Sequence, residues 1–496
     1  MTPAAKNKLV LALSLAMFLA AVEGTIVTLA IPTIVKDLQG FDLISHVFSV
    51  YLITGAVATP IYGKLSDLYG RKRTLMAGIA IFLVGSALCG LAQNMTMLII
   101  FRAIQGIGAS AIFVVPMAIV GDVFPLRERG TIQGALSMVW GIAGLFGPFL
   151  GGLLIDLLSW HWIFFINIPF GLLTIFILQT TFSEKINRRA HHIDYPGILT
   201  LTAALLAFLA IFVLGDGSSS IFTLRNGLLL LCSLVLLVVF YRIERRSPEP
   251  IVPLDVLTKS SVFVNVIALL FMGVLLGIDV YTPIYLQNVM GFSPLIAGLL
   301  VLPISISWML ASIPVGRFIH RFGGKRVNVI GAALTLFGLV PLLFFTRSSP
   351  VLFIIVVLFF LGIGLGIAVS TQTMIIQDSV GFEQRGAAVG LNSLVRTLGQ
   401  TIGISAFGAV FNASIVGGFV KADITRYDLG NLYDLTAYQA GVSWEQIVAV
   451  LADAIHVIYL IFFVVMLLCV LLSLLMPKPP VLPESAVAEP DDALEQ

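Results

Sequence analysis

Charge is scarce in this chain. Asp, Glu, Lys and Arg together make up 11% of its 496 residues, where a soluble domain carries about 25%. Hydrophobic residues fill 58% of it instead, and that balance places the chain in lipid, with the bilayer itself as its first partner. Cysteine is nearly missing. Cys89, Cys232 and Cys469 each lie in an apolar run and read as small packing residues, which excludes a disulfide framework and a metal site. The 6 histidines are scattered without ligand spacing. No phosphate loop of the GxxxxGK[ST] type is present, so neither ATP nor another cofactor is expected, and the expected energy source is a proton gradient. No nucleophile–base pair suggests an enzyme. A net charge of +2 gives no hint of nucleic-acid binding. The first apolar run follows Lys6 and Lys8 as a signal peptide would, but it is too long, lacks an Ala-x-Ala site and contains Glu23. It is expected to stay as a membrane span.

What the chain has in abundance is apolar runs of about 20 residues, the length that crosses a bilayer as helix. They lie at 9–31, 44–62, 75–93, 97–120, 131–155, 162–182, 197–214, 226–242, 261–286, 295–316, 327–346, 350–374, 386–411 and 454–476, fourteen in all. With the N-terminus in the cytoplasm, 21 of the 28 Lys and Arg fall in cytoplasmic segments and 5 in outer ones. That bias predicts both termini to be cytoplasmic.

One cytoplasmic turn occurs twice. Gly63-Lys-Leu-Ser-Asp67-Leu-Tyr-Gly70-Arg71-Lys-Arg73 returns 253 residues later as Gly316-Arg-Phe-Ile-His320-Arg-Phe-Gly323-Gly324-Lys325-Arg326. Two copies of one basic hairpin imply two related halves, an architecture of transporters. The expected fold is therefore all-α and membrane-integral, with two six-helix bundles (1–182 and 261–476) joined by a linker, 183–260, that adds a two-helix hairpin. An outer loop, 412–453, is expected to act as a lid or a plain connector, with Ser443-Trp-Glu-Gln446 capping a short helix toward the last span. The acidic tail, 477–496, reads as disordered.

A charge in mid-span costs about 2.5–3.5 kcal/mol, so each one needs a reason. Glu23 sits two thirds of the way through span 1 and is a candidate proton carrier or, alternatively, a structural partner for a buried arginine. Asp279 in span 9 is a second candidate, for proton relay or for attracting a cationic substrate. Arg102 in span 4 has no acid near it in sequence, and Glu23 is its expected partner. Arg396 in span 13 is the matching cation of the second half. Both arginines have the alternative role of clamping backbone carbonyls. Gly144-Leu-Phe-Gly147-Pro148-Phe-Leu-Gly151-Gly152 puts small residues on successive turns of span 5, where they allow close helix approach and the proline supplies a bend. Gly362, Gly364 and Gly366 in span 12 read as packing.

These motifs resemble the major facilitator superfamily, and within it the fourteen-span drug:proton antiporter subfamily (EmrB/QacA-like). The 63–73 hairpin is similar to the superfamily's GxLxDxxGRKR turn. Leu98 to Gly108 matches its RxxQGxG motif, and Gly147 to Gly152 matches the core of the antiporter motif, with Gly144 one place off the usual spacing. Trp160-His-Trp162-Ile-Phe-Phe-Ile-Asn167-Ile-Pro169-Phe-Gly171 resembles the subfamily's WRWIFxINxPxG signature with His161 for Arg, and Glu23 stands where that group commonly has Asp. The resemblance implies export of amphipathic, cationic drugs and dyes by alternating access, in exchange for protons and as a monomer. It implies a charge cluster of Asp67, Arg71 and Asp122 that, with Gly63, Gly70 and Arg73, locks one state against the start of span 13 near Gly386. The second hairpin, with His320 and Gly324, has lost that lock. A cavity lined by Tyr51, Met117, Met138, Trp140, Tyr281, Tyr285, Trp308, Asn392 and Gln400 would suit lipophilic cations. The rival readings are an exporter of lipid or of one metabolite and, further off, a non-transporting membrane sensor or scaffold.

Overall fold

The computed structural model describes residues 3–124, 126–182, 184, 194–213, 223–247, 256–380, 385–424, 426–433, 438 and 442–477. Among these the chain is helical, with no strand. The first part contains α1 (Pro3–Leu38), α2 (Ile44–Tyr69), α3 (Arg71–Cys89), α4 (Met95–Val123), α5 (Leu126–Leu157), α6 (Trp162–Phe165) and α7 (Asn167–Thr181). A pair follows, α8 (Tyr195–Val213) and α9 (Leu224–Glu244). The last part contains α10 (Lys259–Ile284), α11 (Pro294–Ser312), α12 (Val315–Phe322), α13 (Gly324–Leu339), α14 (Val351–Asp378), α15 (Arg385–Lys421) and α16 (Trp444–Leu475).

Both basic hairpins turn on one residue with the same backbone. Gly70 ends α2 at φ 96°, ψ 147°, and Gly323 ends α12 at φ 81°, ψ 146°. A side chain would be strained in that region, which is why glycine occupies both turns. The packing repeats as well. In the first part α1 packs on α5, and α2 and α3 pack on α4; in the last, α10 packs on α15, and α11 and α13 pack on α14. The two parts meet through α5 against α11 and α2 against α15.

Among the described residues, 12 helices are long and apolar enough to cross a membrane. The runs read as spans 5 and 7 supply shorter apolar helices there, Gly141–Leu157 and Tyr195–Phe208. Helix boundaries depart from the hydropathy pattern at three places. Span 6 is broken at Ile166, because Pro169 has no N–H to offer the Phe165 carbonyl one turn back. Span 10 stops at Ser312, where Pro314 interrupts the ladder in the same way. The Ser443–Gln446 capping box is present, but it opens the long helix α16 itself and not a separate short one. With α15 running on to Lys421, the outer loop is about half as long as hydropathy alone suggests.

Cross-contacts seal the end of the bundle away from both termini. Asn412 Nδ2 donates to the Asp42 carbonyl at 2.8 Å, and the Gly40 N–H donates to the Gly430 carbonyl at 2.8 Å. Gln287 Nε2 donates to the Leu29 carbonyl at 2.8 Å, and the Leu295 N–H to Asp156 Oδ2 at 3.3 Å. The apolar counterpart is Phe41 against Phe411, with ring centroids 5.8 Å apart.

Within each half, glycine sets the helix spacing. A Cβ on Gly85 of α3 would lie 2.5 Å from the Gln105 backbone nitrogen of α4. Gly85→Val is therefore expected to overpack this seam at a cost of about 1–3 kcal/mol, read as a lower melting temperature of the detergent-solubilised protein. Gly227→Ala on α9, where a Cβ meets nothing within 4 Å, is expected to leave that temperature unchanged.

Candidate functional site

Glu23 and Arg102 are each 1% exposed, and at that depth the cost of desolvation is met only by direct bonds. Arg102 Nη1 lies 2.8 Å from Glu23 Oε1, joining α4 to α1 as the sequence predicts. The other carboxylate oxygen is also taken: Asn167 Nδ2 donates to Glu23 Oε2 at 2.6 Å. Asn167 is the first residue of α7, placed there by the helix break at Ile166. The same Asn167 nitrogen donates to Ser86 Oγ on α3 at 3.0 Å, and that hydroxyl donates to the Phe164 carbonyl at 2.8 Å. On the cation's side, Nη1 also donates to Gln105 Oε1 at 2.8 Å. The guanidinium carbon stands 4.0 Å from the centre of the Tyr51 ring on α2, an arrangement worth about 2 kcal/mol when desolvated. Helices α1, α2, α3, α4 and α7 thus converge on one ion pair. Two polar groups in this nest, Gln105 Nε2 and Tyr51 Oη, are buried without a partner.

Such a site has no nucleophile poised over a reacting atom. It can hold a proton on Glu23 or surrender it, with Arg102 kept in place by Gln105 and Tyr51 when the carboxylate is neutral. The Major Facilitator Superfamily model matches residues 13–404. The chain belongs to the Major Facilitator Superfamily. It is a multi-pass membrane transporter and not an enzyme. It is similar to multidrug resistance protein 3 of Bacillus subtilis (strain 168), 34% identical over 403 residues, covering 81% of this chain and 78% of that one. It also resembles the multidrug efflux pump SdrM of Staphylococcus aureus (strain N315), 31% identical over 404 residues, covering 81% and 89%. In fold it is similar to the crystal structure of a bacterial homologue of the human lysosomal transporter Spinster, with a TM-score of 0.71 at 16% identity over 96% of this chain and 98% of that one.

The facilitator's other expected residues divide by position. Arg71 Nε pairs with Asp122 Oδ2 at 2.9 Å at the end of the bundle near the termini, and Arg71 Nη1 donates to Ser66 Oγ. The Asp67 side chain, the contact expected near Gly386, and the side chains of Met138 and Trp140 lie outside the described residues. In the antiporter motif, the Gly144 carbonyl accepts from Ser305 Oγ of α11 at 2.7 Å. A Cβ on Gly151 would lie 3.3 Å from Ile26 of α1, and one on Gly152 would meet the Leu295 backbone of α11. The motif therefore fills the joint between α1, α5 and α11.

Four residues expected in the cavity are enclosed by protein in this conformation. Tyr51 lies under Arg102; Tyr281 packs on Phe411 with ring centroids 5.1 Å apart; Tyr285 Oη donates to the Phe345 carbonyl at 2.9 Å; Asn392 Nδ2 donates to Asn265 Oδ1 at 2.9 Å. Met117, Trp308 and Gln400 stay partly exposed. Arg396 and Asp279 are not a pair. The contacts Asn392–Asn265 and Phe411–Tyr281 fix the register of α15 on α10, and at about 1.5 Å rise per residue the two charges are roughly 17 Å apart along the bundle.

Asn167, Gln105, Ser86 and Glu184 were not singled out by sequence as site residues. The first two stand inside recognised motifs, Ser86 inside an apolar run, and Glu184 in a charged linker. Glu184 caps the basic hairpin: its carboxylate accepts from the Arg71 N–H at 2.8 Å and the Lys72 N–H at 3.0 Å, the open N-terminus of α3. Glu184→Ala should cost about 0.5–2 kcal/mol, the price of a lost N-cap, measured as a fall in melting temperature. Arg102→Met strands a buried carboxylate and should destabilise by about 3–5 kcal/mol. The double variant Glu23→Gln/Arg102→Met should regain most of that loss in the same measurement.

Proposed function

We propose that this facilitator is a proton-coupled antiporter that exports amphipathic, cationic drugs and dyes from the cytoplasm or inner leaflet by alternating access. The observation that carries the reading is Glu23, a carboxylate withdrawn from water and held by Arg102 and Asn167 across three helices. An ionisable group is retained at that depth when it has work to do. In the proposed cycle the ion pair is the proton-free state. Protonation of Glu23 releases its bond to Arg102 and loosens α1 from α4, and deprotonation restores it. Asp279 attracts the cationic cargo or carries a second proton, and Arg396 assists on the second half. The names of the relatives support drug efflux as the task.

Several finer features belong to the same proposal. The chain crosses the membrane fourteen times, as the EmrB/QacA-like subfamily does, with α8 and α9 as the added hairpin between 183 and 260. Both termini are cytoplasmic, so the sealed end described above is the outer one and the conformation faces inward. The Arg71–Asp122 pair, with Asp67, belongs to the lock that engages when the inner end closes. The unit is a monomer.

The test is substrate-induced proton release from energised inside-out vesicles, with a panel of lipophilic cations and wild type beside Glu23→Gln. The expected outcome is a response to several cations that vanishes in the variant. A response that survives the substitution moves the coupling to Asp279. Silence of folded wild type across the panel sinks the drug reading in favour of a lipid or single-metabolite exporter.

A further inference from the structure

The second half contains a largely enclosed cation that, among the described residues, has no acid to neutralise it. Arg396 Nη2 donates to the Val369 carbonyl at 3.0 Å and to Thr373 Oγ1 at 2.9 Å, both neutral acceptors on α14, and Nε is buried without a partner. Asp279, the acid of α10, is too far along the bundle to serve. One residue from Thr373 stands Gln372, fully buried at 0% exposure, with its amide nitrogen and its amide oxygen both unpaired. Positions 369, 372 and 373 share one helix face by their i, i+3, i+4 spacing, so Gln372 flanks the two groups that hold Arg396.

Access comes from the other side. Ser393, Arg396, Thr397 and Gln400 follow the same spacing on α15 and form a polar stripe, with Ser393 exposed and the other three partly exposed. A polar stripe on a membrane helix faces water or cargo and not lipid. The outer part of α15 is closed against the start of α2, where Gly408 meets Ser45, and against the turn before it, where Asn412 meets Asp42. The stripe lies on the part of α15 nearer the termini, beyond that seal. A half-satisfied guanidinium on this stripe, with an unsatisfied amide enclosed behind it, is the donor set that an oxyanion completes.

We infer that the Arg396–Gln372 face between α14 and α15 is a subsite for an oxyanion, a carboxylate or phosphate, carried by an amphiphilic cargo. The inference rests on the efflux reading above and extends it: cargo with a positive and a negative group is held better than cargo with the positive group alone. The carboxylate end lies against Arg396, and the cationic end points along the bundle toward Asp279. The negative group can belong to a drug-like zwitterion or to a lipid headgroup, and the experiment separates the two.

Two rhodamine dyes differing only in a free carboxylic acid (zwitterion) or its ethyl ester (cation) are titrated by fluorescence polarisation. The sample is the full chain in nanodiscs of zwitterionic lipid, as wild type, Arg396→Gln and Arg396→Lys. The ratio of acid to ester affinity is expected to fall about tenfold in R396Q, as loss of a charge-assisted bond predicts, and to be partly kept in R396K. Gln372→Leu should lower the same ratio with the charge intact, and serves if R396Q does not fold. A ratio unchanged in folded R396Q and Q372L overturns the subsite. If neither dye binds wild type, the drug reading fails by itself, and a fluorescent short-chain phosphatidic acid decides the subsite. Binding lost in R396Q assigns it to a lipid headgroup, and no binding to wild type overturns it.

Discussion

A carboxylate and a guanidinium withdrawn from water each carry a penalty of several kcal/mol, and the Glu23–Arg102 pair offsets it only through the shell of bonds around it. That shell dictates much of the first half. Oε2 needs a donor, and Asn167 reaches it because Pro169 breaks span 6 and starts α7 at that residue. Asn167 is steered by Ser86, which is steered by the Phe164 carbonyl just before the break. Gln105 can serve Arg102 only where α3 and α4 approach closely, and Gly85 permits that approach. One charged contact thus sets the identity of a proline, a glycine and three polar residues on neighbouring helices.

The two halves repeat their packing and not their electrostatics. The glycine turns at 70 and 323 share a backbone, and the helix pairings correspond. Yet Arg102 is neutralised and bonded at Glu23 and Gln105, whereas Arg396 rests on a carbonyl and a hydroxyl. At the basic hairpins the contrast recurs: Arg71 engages Asp122 and its helix is capped by Glu184, while the second copy has His320 and Gly324 in place of the acid and the first arginine. A duplicated scaffold with unequal charges lets the halves take separate tasks. On the proposed reading, the paired charge of the first half handles the proton, and the unpaired charges of the second face the cargo.

How much of this could be read from sequence depended on the kind of signal. Apolar length, basic turns and the repeat are one-dimensional, so the helices and the glycine hairpins followed from them. The pairing of Arg102 with Glu23 followed from scarcity, since a buried cation must find an acid and span 1 offers one. Asn167 and Ser86 did not follow, because uncharged polar residues in apolar runs cost little and give no hint of a partner on another helix. The aromatic residues show the opposite limit. Tyr51 and Tyr281 have the composition of a drug cavity, but whether a ring lines a cavity or packs under a guanidinium or a phenylalanine depends on rotation about the helix axis. The α16 boundary differs for a simpler reason: Asp453 cuts the apolar run short on its N-terminal side, whereas the capping box at Ser443 marks where the helix begins.

The character of the far-end seal bears on how such a molecule can move. Its contacts are single hydrogen bonds, all between neutral groups but one to the Asp156 carboxylate, the aromatic pairs of Phe41, and small residues packed on backbone. A neutral hydrogen bond contributes about 0.5–1.5 kcal/mol net, so the seal can part at a cost comparable with the binding of one cargo molecule. The bonds of the Glu23–Arg102 nest are all made inside the first half, although two of its helices, α1 and α2, also pack across the joint. Opening the seal therefore does not require breaking the ion pair. For proton binding to influence which end is open, the most direct route is α1, which supplies Glu23, packs on the antiporter motif of α5 and touches α10 of the other half; α2, with Tyr51 under Arg102 and its packing on α15, is the second. On that argument α1 is the element whose position links protonation to access, and the glycines of α5 give it room to shift.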